Sequence, residues 1–581
     1  MGAARDLSDA LSVPLPGAEG LRLRDARRLT GPNLYGDGTG AAAELYVTGM
    51  PPETVAAAWR SAWGRVAAAA ALSAAGAVER PFAGGLGLYV PAAPDALYTA
   101  AFAIETAWHF AGSDLLGLPP GDFAAMTQAL RAVARQEADP ALLRLLAAAQ
   151  AHGLDALWDD TALTLGHGAS GVTYPAGDLP PPGAVDWAAL ANIPLVLVTG
   201  TNGKTTTTRL VAAMAAAAGL VSGLSSTEAV AVGGETVERG DFSGPAGARL
   251  LLRDRRVRAG ALEVARGGIL RRGLPVRRAR AAVVTNVAAD HLGEYGIATV
   301  ADLARVKLTV RRGLGPGGTL VLNADDAGVA AEADRIGARA AWFSLDPGAA
   351  RIAQARREGR PCAWLDGDRL ILSAGAGTGT EAELLIRAGD APLTMAGAAR
   401  YNIENALAAS LAAAAAGLPA QAIRATLASF RSDVADNPGR CNEFAWRGAR
   451  VFVDFAHNPH SIAAVTAALR AIPARRRFVM LSHAGDRSDD DIRALAAGAF
   501  ALGPDVVVAA ENPGYLRGRS PGEVPRLLRE ASIAMGLPPS QVWTAARPAE
   551  AARRILDELG EGDLALLLVH ADRAEIFAML G

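Results

Sequence analysis

The chain has 581 residues, half of them apolar (51%) and a fifth charged (20%), with a net charge of -2. That length suits roughly four average domains or three large ones, and the composition is that of a globular protein. The near-neutral charge excludes a global field that would recruit nucleic acid or an anionic membrane. Two cysteines, Cys362 and Cys441, exclude a disulfide framework or a four-thiolate zinc site.

The start, from Met1 to Leu7, lacks a basic region followed by an apolar core, so no secretory signal is expected and the expected location is cytoplasmic. A first block spans residues 1–182. It combines short strands, Glu44–Val47 and Gly87–Val90, with alanine-rich helices, Pro52–Ala75 and Tyr98–Ala111. The uncharged stretches Val66–Val78 and Asn405–Ile423 are mostly alanine, which is too weakly apolar for a membrane span, so both read as helices of a soluble domain. Ala176–Ala184 is proline-rich and reads as a stiff linker.

A second block, residues 188–436, opens with the apolar run Pro194–Thr199, suited to a buried parallel strand. A glycine loop follows, then a helix over Thr205–Ala218. Further strands are expected at Arg258–Val264, Ala281–Asn286 and Gly318–Asn323, and a helix at Val300–Val310. A third block, residues 437–581, alternates again. Strands are expected at Arg450–Asp454, Phe478–Ser482, Asp505–Ala509 and Leu564–Val569, with helices at Ser461–Ala471, Asp489–Ala501, Pro521–Ala534 and Pro548–Leu559. The fold class is α/β: an N-terminal α+β domain, a central parallel-sheet domain with a phosphate loop, and a Rossmann-like C-terminal domain.

The loop Gly200, Thr201, Asn202, Gly203, Lys204, Thr205 and Thr206 sits between strand and helix, as phosphate binding requires. Backbone N–H groups of the turn and helix N-terminus face an anion. Lysine reaches the terminal phosphates, and the Thr205 hydroxyl can ligate Mg²⁺. The strict P-loop pattern wants glycine where Val198 stands, so the match is partial.

This loop resembles the ATP loop of the Mur ligases and their relatives, where the first glycine is normally missing. Four more segments fit in chain order: Leu262–Gly268 (LEVARGG), Thr285–His291 (TNVAADH), Tyr401–Asn405 (YNIEN) and Val453–Pro459 (VDFAHNP). Ala265–Leu270, Gly485–Arg487 and Leu516–Gly522 resemble the ligase half of cyanophycin synthetase most closely. Arg28–Leu34 and Leu163–Gly168 resemble pieces of that family's N-terminal domain. An ATP-grasp domain, which adds aspartate in that family, has no room where the proline-rich stretch stands.

The resemblance implies an ATP-dependent carbon–nitrogen ligase that couples an amino acid to a carboxylate acceptor through an acyl phosphate, as in joining arginine to an aspartate side chain. Other members are folylpolyglutamate or peptidoglycan ligases, and a non-catalytic ATP-binding assembly protein is the reading from another class. The implied cofactors are ATP and Mg²⁺. Lys204 would clamp the β- and γ-phosphates, Thr205 and Glu263 would serve Mg²⁺, and His291 a second ion. Lys307 would be carbamylated. Asn405 would touch adenine, Arg440 phosphate and Asp454 the ribose or the linker side of the nucleotide, with His457 beside it. His457, Asp486, Arg487, Arg517 and Arg519 would line the substrate site, where arginine forks can hold a carboxylate. Of 57 basic residues, lysine stands only at 204 and 307, the two positions where the family needs an amine; guanidinium cannot take its place. The first block could dock a polymer, receive a separate ATP-grasp partner or form a homo-oligomer.

Overall fold

A computed structural model describes residues 20–375 and 382–581. The segment from Met1, on which the secretory reading rests, lies outside them. Among the described residues the strands form four sheets.

The first sheet is antiparallel, in the order Leu21–Leu29, Gly40–Val47, Gly85–Pro91, Val78–Phe82. Helices Pro52–Ala70, Leu97–Leu116 and Phe123–Glu137 cover one face and bury Trp59, Trp63 and Ile104 between the layers. The first helix is shorter than expected. Ala71 turns left-handed at φ 58°, and Leu72 N–H donates back to the Ala67 carbonyl, so the alanine run breaks before the strand at Val78. The second alanine run also breaks, at Gly417 and Pro419, into helices Arg400–Ala415 and Ala420–Ser429. No helix among the described residues is long and apolar enough to cross a membrane.

The first block holds a second, smaller sheet of Ala156–Trp158, Ala162–Leu165 and Val172–Pro175, with its own core around Leu145, Leu163 and Leu165. The stretch expected as a stiff linker, Ala176–Ala184, lies against that core, where Leu179 is partly buried. Val185 is buried in that core and Trp187 Nε1 donates to the Pro182 carbonyl at 2.9 Å. The chain passes from there directly into the central sheet, with no ATP-grasp domain between.

The central sheet has a parallel middle in the order Ser222–Ser225, Ala259–Glu263, Leu195–Thr199, Ala279–Val284, Leu314–Asn323, Ala340–Ser344, Cys362–Asp366, and antiparallel strands at both edges. Side-chain alternation fixes its layering. Leu195 and Leu197 enter one core, Val196 and Val198 the other, which is why the run reads as continuously apolar. Successive connections diverge on either side of Leu195–Thr199, and such a switch point opens a crevice at the carboxyl ends of the strands.

The last sheet runs Asn442–Trp446, Ala449–Asp454, Leu564–Leu568, Arg477–Leu481, Val506–Ala510, Val542–Ala545, all parallel except the first. Helices on both faces enclose its two cores. Its carboxyl ends carry Asp454, Ser482, Glu511 and Val569.

Candidate active site

The phosphate loop leaves the buried strand Leu195–Thr199 and enters the helix Lys204–Ala217. Its shape needs glycine. Gly203 has φ 82°, and a Cβ there would lie 2.2 Å from Asn405 Oδ1; a Cβ at Gly200 would lie 1.8 Å from Thr285 Oγ1. Neighbouring strand ends hold the loop. Thr285 Oγ1 donates to the Asn202 carbonyl at 2.6 Å, and Asn202 N–H donates to Asn286 Oδ1 at 2.9 Å.

A cleft of about 770 Å³, open to solvent, separates this loop from the last sheet. Thr201–Thr206, Asn405, Arg440, Asp454 and His457 line it, together with Tyr401, Glu404 and His460. The two sides already touch: Asn202 exchanges hydrogen bonds with Asn458 at 3.0 and 3.2 Å and meets His460 Nδ1 at 2.9 Å.

Both lysines reach the loop backbone. Lys204 Nζ donates to the Thr201 carbonyl at 2.8 Å, and Lys307 Nζ to the Gly200 carbonyl at 2.6 Å. Lys307 is buried at 3% exposure. Burial first, and the Lys204 charge second, hold its amine well below the ordinary lysine range.

Glu263 ends its strand beside Thr205, whose Oγ1 donates to Glu263 Oε2 at 3.0 Å. Burial raises its carboxyl above the usual range, against the pull of Lys204 and Arg440. Glu263 Oε1 is buried with no hydrogen-bond partner among the described residues. A buried acceptor left open beside a threonine hydroxyl is a donor set that fits a hard cation such as Mg²⁺.

A second group also fits a cation. One ligand atom each from Asp290, His291 and His457 lie within 4.8 Å of one another. Burial pushes His457 down to about 4, and burial likewise lowers His291. Burial alone would raise Asp290, but His291, His457 and Lys204 outweigh it and lower it. Neutral imidazoles beside a carboxylate are competent ligands. Asp290 has no role legible in the sequence, because an aspartate there suits a turn by itself; its partner His457 comes from the other sheet. Arg487 Nη2 lies 2.9 Å from His291 Nε2 and 3.7 Å from Asp290, so it joins this group.

Asp454, 7% exposed, is pushed up to about 6 by burial, while its oxygen accepts Ala456 N–H at 2.6 Å. Arg440 Nη2 donates to Thr205 Oγ1 at 3.1 Å. Glu228, absent from the sequence reading, anchors it. Arg573 and Arg209 contact this carboxylate at 2.8 and 3.1 Å, and Arg440 stands at 3.6 Å. Burial alone would raise Glu228, but the three guanidiniums outweigh it and lower it. No local motif marks Glu228, since its meaning lies in arginines from distant segments.

Two expected substrate residues are engaged elsewhere. Arg519 donates to the Gly485 carbonyl at 2.9 Å and the Arg487 carbonyl at 2.7 Å and pairs with Asp489 and Glu523. It therefore braces the loop carrying Asp486 and Arg487 and has no free fork for a carboxylate. Arg517 pairs with Asp486 and is about half-exposed.

Residues 198–413 match the Mur ligase middle domain, and residues 439–568 match the Mur ligase glutamate ligase domain. The chain belongs to the Mur ligase family. Among curated Mur ligase relatives, cyanophycin synthetase of Trichormus variabilis is 40% identical over 336 residues, covering 58% of this chain and 37% of that protein. UDP-N-acetylmuramate--L-alanine ligase of Mycolicibacterium gilvum is 31% identical over 339 residues, covering 55% of this chain and 62% of that protein. The chain thus spans little more than a third of the cyanophycin synthetase it matches. Among solved structures, folylpolyglutamate synthase of Mycobacterium tuberculosis complexed with ADP has a TM-score of 0.49 at 20% identity, covering 67% of this chain and 90% of that one.

Proposed function

We propose that this Mur ligase family member is an ATP-dependent enzyme that joins an amino acid to a carboxylate acceptor through an acyl phosphate. The observation that carries the reading is the meeting of the chain's two lysines at one loop, Lys204 on the Thr201 carbonyl and Lys307 on the Gly200 carbonyl. A carboxylate is a poor electrophile. Its oxygen attacks the γ-phosphorus and ADP leaves. The amine nitrogen then attacks the acyl carbon, phosphate departs with the acyl oxygen, and the nitrogen gives up a proton.

Both steps gather negative charge and need the reactants held in line. Mg²⁺, when bound, neutralises phosphate charge. Thr205 and Glu263 would hold one ion, and His291 with Asp290 and His457 a second. Lys204 and Arg440 would hold phosphate oxygens, Asn405 the base and Asp454 the ribose. Lys307 is carbamylated in this reading. Its buried neutral amine adds carbon dioxide, forming an N–C bond and releasing one proton.

Likeness to cyanophycin synthetase makes an aspartate side-chain carboxylate the first acceptor to try and arginine the first amino acid. Purified protein with MgATP and aspartate-containing peptides, assayed across twenty amino acids, should release phosphate only when both acceptor and amino acid are present. The ligase reading falls if no amino acid stimulates release over a broad acceptor set.

A further inference from the structure

We propose that the N-terminal sheet is a positioning element of the active site, in which Arg80, helped by Phe82, holds the loop 291–297 in the shape that presents Asp290 and His291. Its effect on turnover rests on the ligase reading above; its effect on the loop does not.

The loop needs holding. His291 and Tyr295 have φ of 50° and 55°, and Gly293 and Gly296 are also left-handed. Non-glycine residues keep that conformation only where their surroundings over-determine it. Within the central domain the loop has Gly293 N–H on the Ile297 carbonyl at 2.8 Å, and Arg266 donates to the His291 carbonyl and pairs with Glu294.

The other grip comes from the N-terminal sheet. Arg80 Nη2 donates to the Tyr295 carbonyl at 2.9 Å and Nη1 to the Gly296 carbonyl at 3.2 Å. The Phe82 ring lies so close that a Cβ on Gly296 would meet it at 2.3 Å. The Arg27 guanidinium stands 4.8 Å from the Tyr295 ring centroid, fixed by two hydrogen bonds to Glu44 at 2.6 and 2.7 Å. Arg27 Nε also donates to the Leu270 carbonyl at 2.7 Å, in the last turn of the short helix whose first residue is Arg266. One sheet therefore seizes both the tip of the loop and the helix behind it. The two Arg80 contacts fall on backbone carbonyls, so they set the loop's path directly.

Arg80→Ala is the test, because Arg27→Ala would leave Glu44 buried and unpaired. Amide exchange over 291–297 should quicken at least about tenfold, while exchange in the two large cores and the melting temperature stay near wild type. Mn²⁺ affinity should fall about tenfold, as should the apparent Mg²⁺ affinity in turnover, with ATP binding unchanged. Arg80→Lys, which restores one donor, should recover part of both effects. Unchanged loop exchange with unchanged Mn²⁺ affinity overturns the proposal. So does a uniform rise in exchange with parallel loss of ATP binding, which would make Arg80 an ordinary stability contact. If wild-type protein shows no ligase turnover, the exchange and Mn²⁺ arms still decide.

Discussion

Replacing Lys307 by arginine separates the chemistry of this amine from its charge. The side chain is 3% exposed and its Nζ sits 2.6 Å from the Gly200 carbonyl. Its amine lies well below the ordinary lysine range because burial disfavours the cation and Lys204 repels it. The sign follows. The unfolded chain binds this proton up to the usual lysine range and the folded chain releases it earlier. Lys307 thus costs stability at neutral pH, and the cost is recovered as pH rises toward 10.5. A neutral amine can add carbon dioxide; guanidinium stays charged and cannot. Losing one preorganised charge near transferring phosphate costs about 10²–10³ in rate. Lys307→Arg should therefore lose at least about a hundredfold in kcat. Nucleotide affinity, measured by titration calorimetry, should stay within a few-fold. Wild-type turnover should fall after exhaustive removal of carbon dioxide and return with bicarbonate, and the variant should respond to neither. Normal turnover in Lys307→Arg would refute the reasoning.

Asp454 is pushed up to about 6, so its folded-state proton stabilises at low pH and that stability is lost as pH rises through 6. In urea unfolding, Asp454→Asn should gain about 3 kcal/mol on wild type between pH 4 and pH 8, and nucleotide binding should lose its weakening below pH 6. Glu228 is lowered, so its contribution fades as pH falls through the carboxylate range. Glu228→Gln should cost about 2 kcal/mol of stability at pH 7, measured by denaturant titration, because three guanidiniums lose their counter-charge. Gly203→Ala forces a left-handed alanine and a 2.2 Å contact with Asn405. It should fold about 1–2 kcal/mol less stably, read by denaturant titration, and bind nucleotide at least tenfold more weakly by calorimetry.

The sequence by itself determined whatever is written in short-range pattern. Leu195–Thr199 reads as a buried strand from its apolar run, and the glycine loop between that strand and a helix reads as a phosphate loop from its local pattern alone. The four strands and four helices expected in the last block lie within a few residues of their positions, since periodicity and turn formers are local, whereas strands Asn442–Trp446 and Val542–Ala545 at the sheet's two edges and the helix Arg573–Leu580 were not expected. Tertiary structure alone decided the rest. Asp290 acquires His457 and Arg487 only when two sheets face each other across the cleft. Glu228 looks like any turn carboxylate until Arg209, Arg440 and Arg573 converge on it. Arg519 looked like a substrate fork, but its neighbours had already claimed its donors. The first block looked like one domain on a linker, but it folded as two cores, one of them gripping the loop 291–297. Each of these depends on strand order, which brings distant carboxyl ends together and which no local pattern encodes.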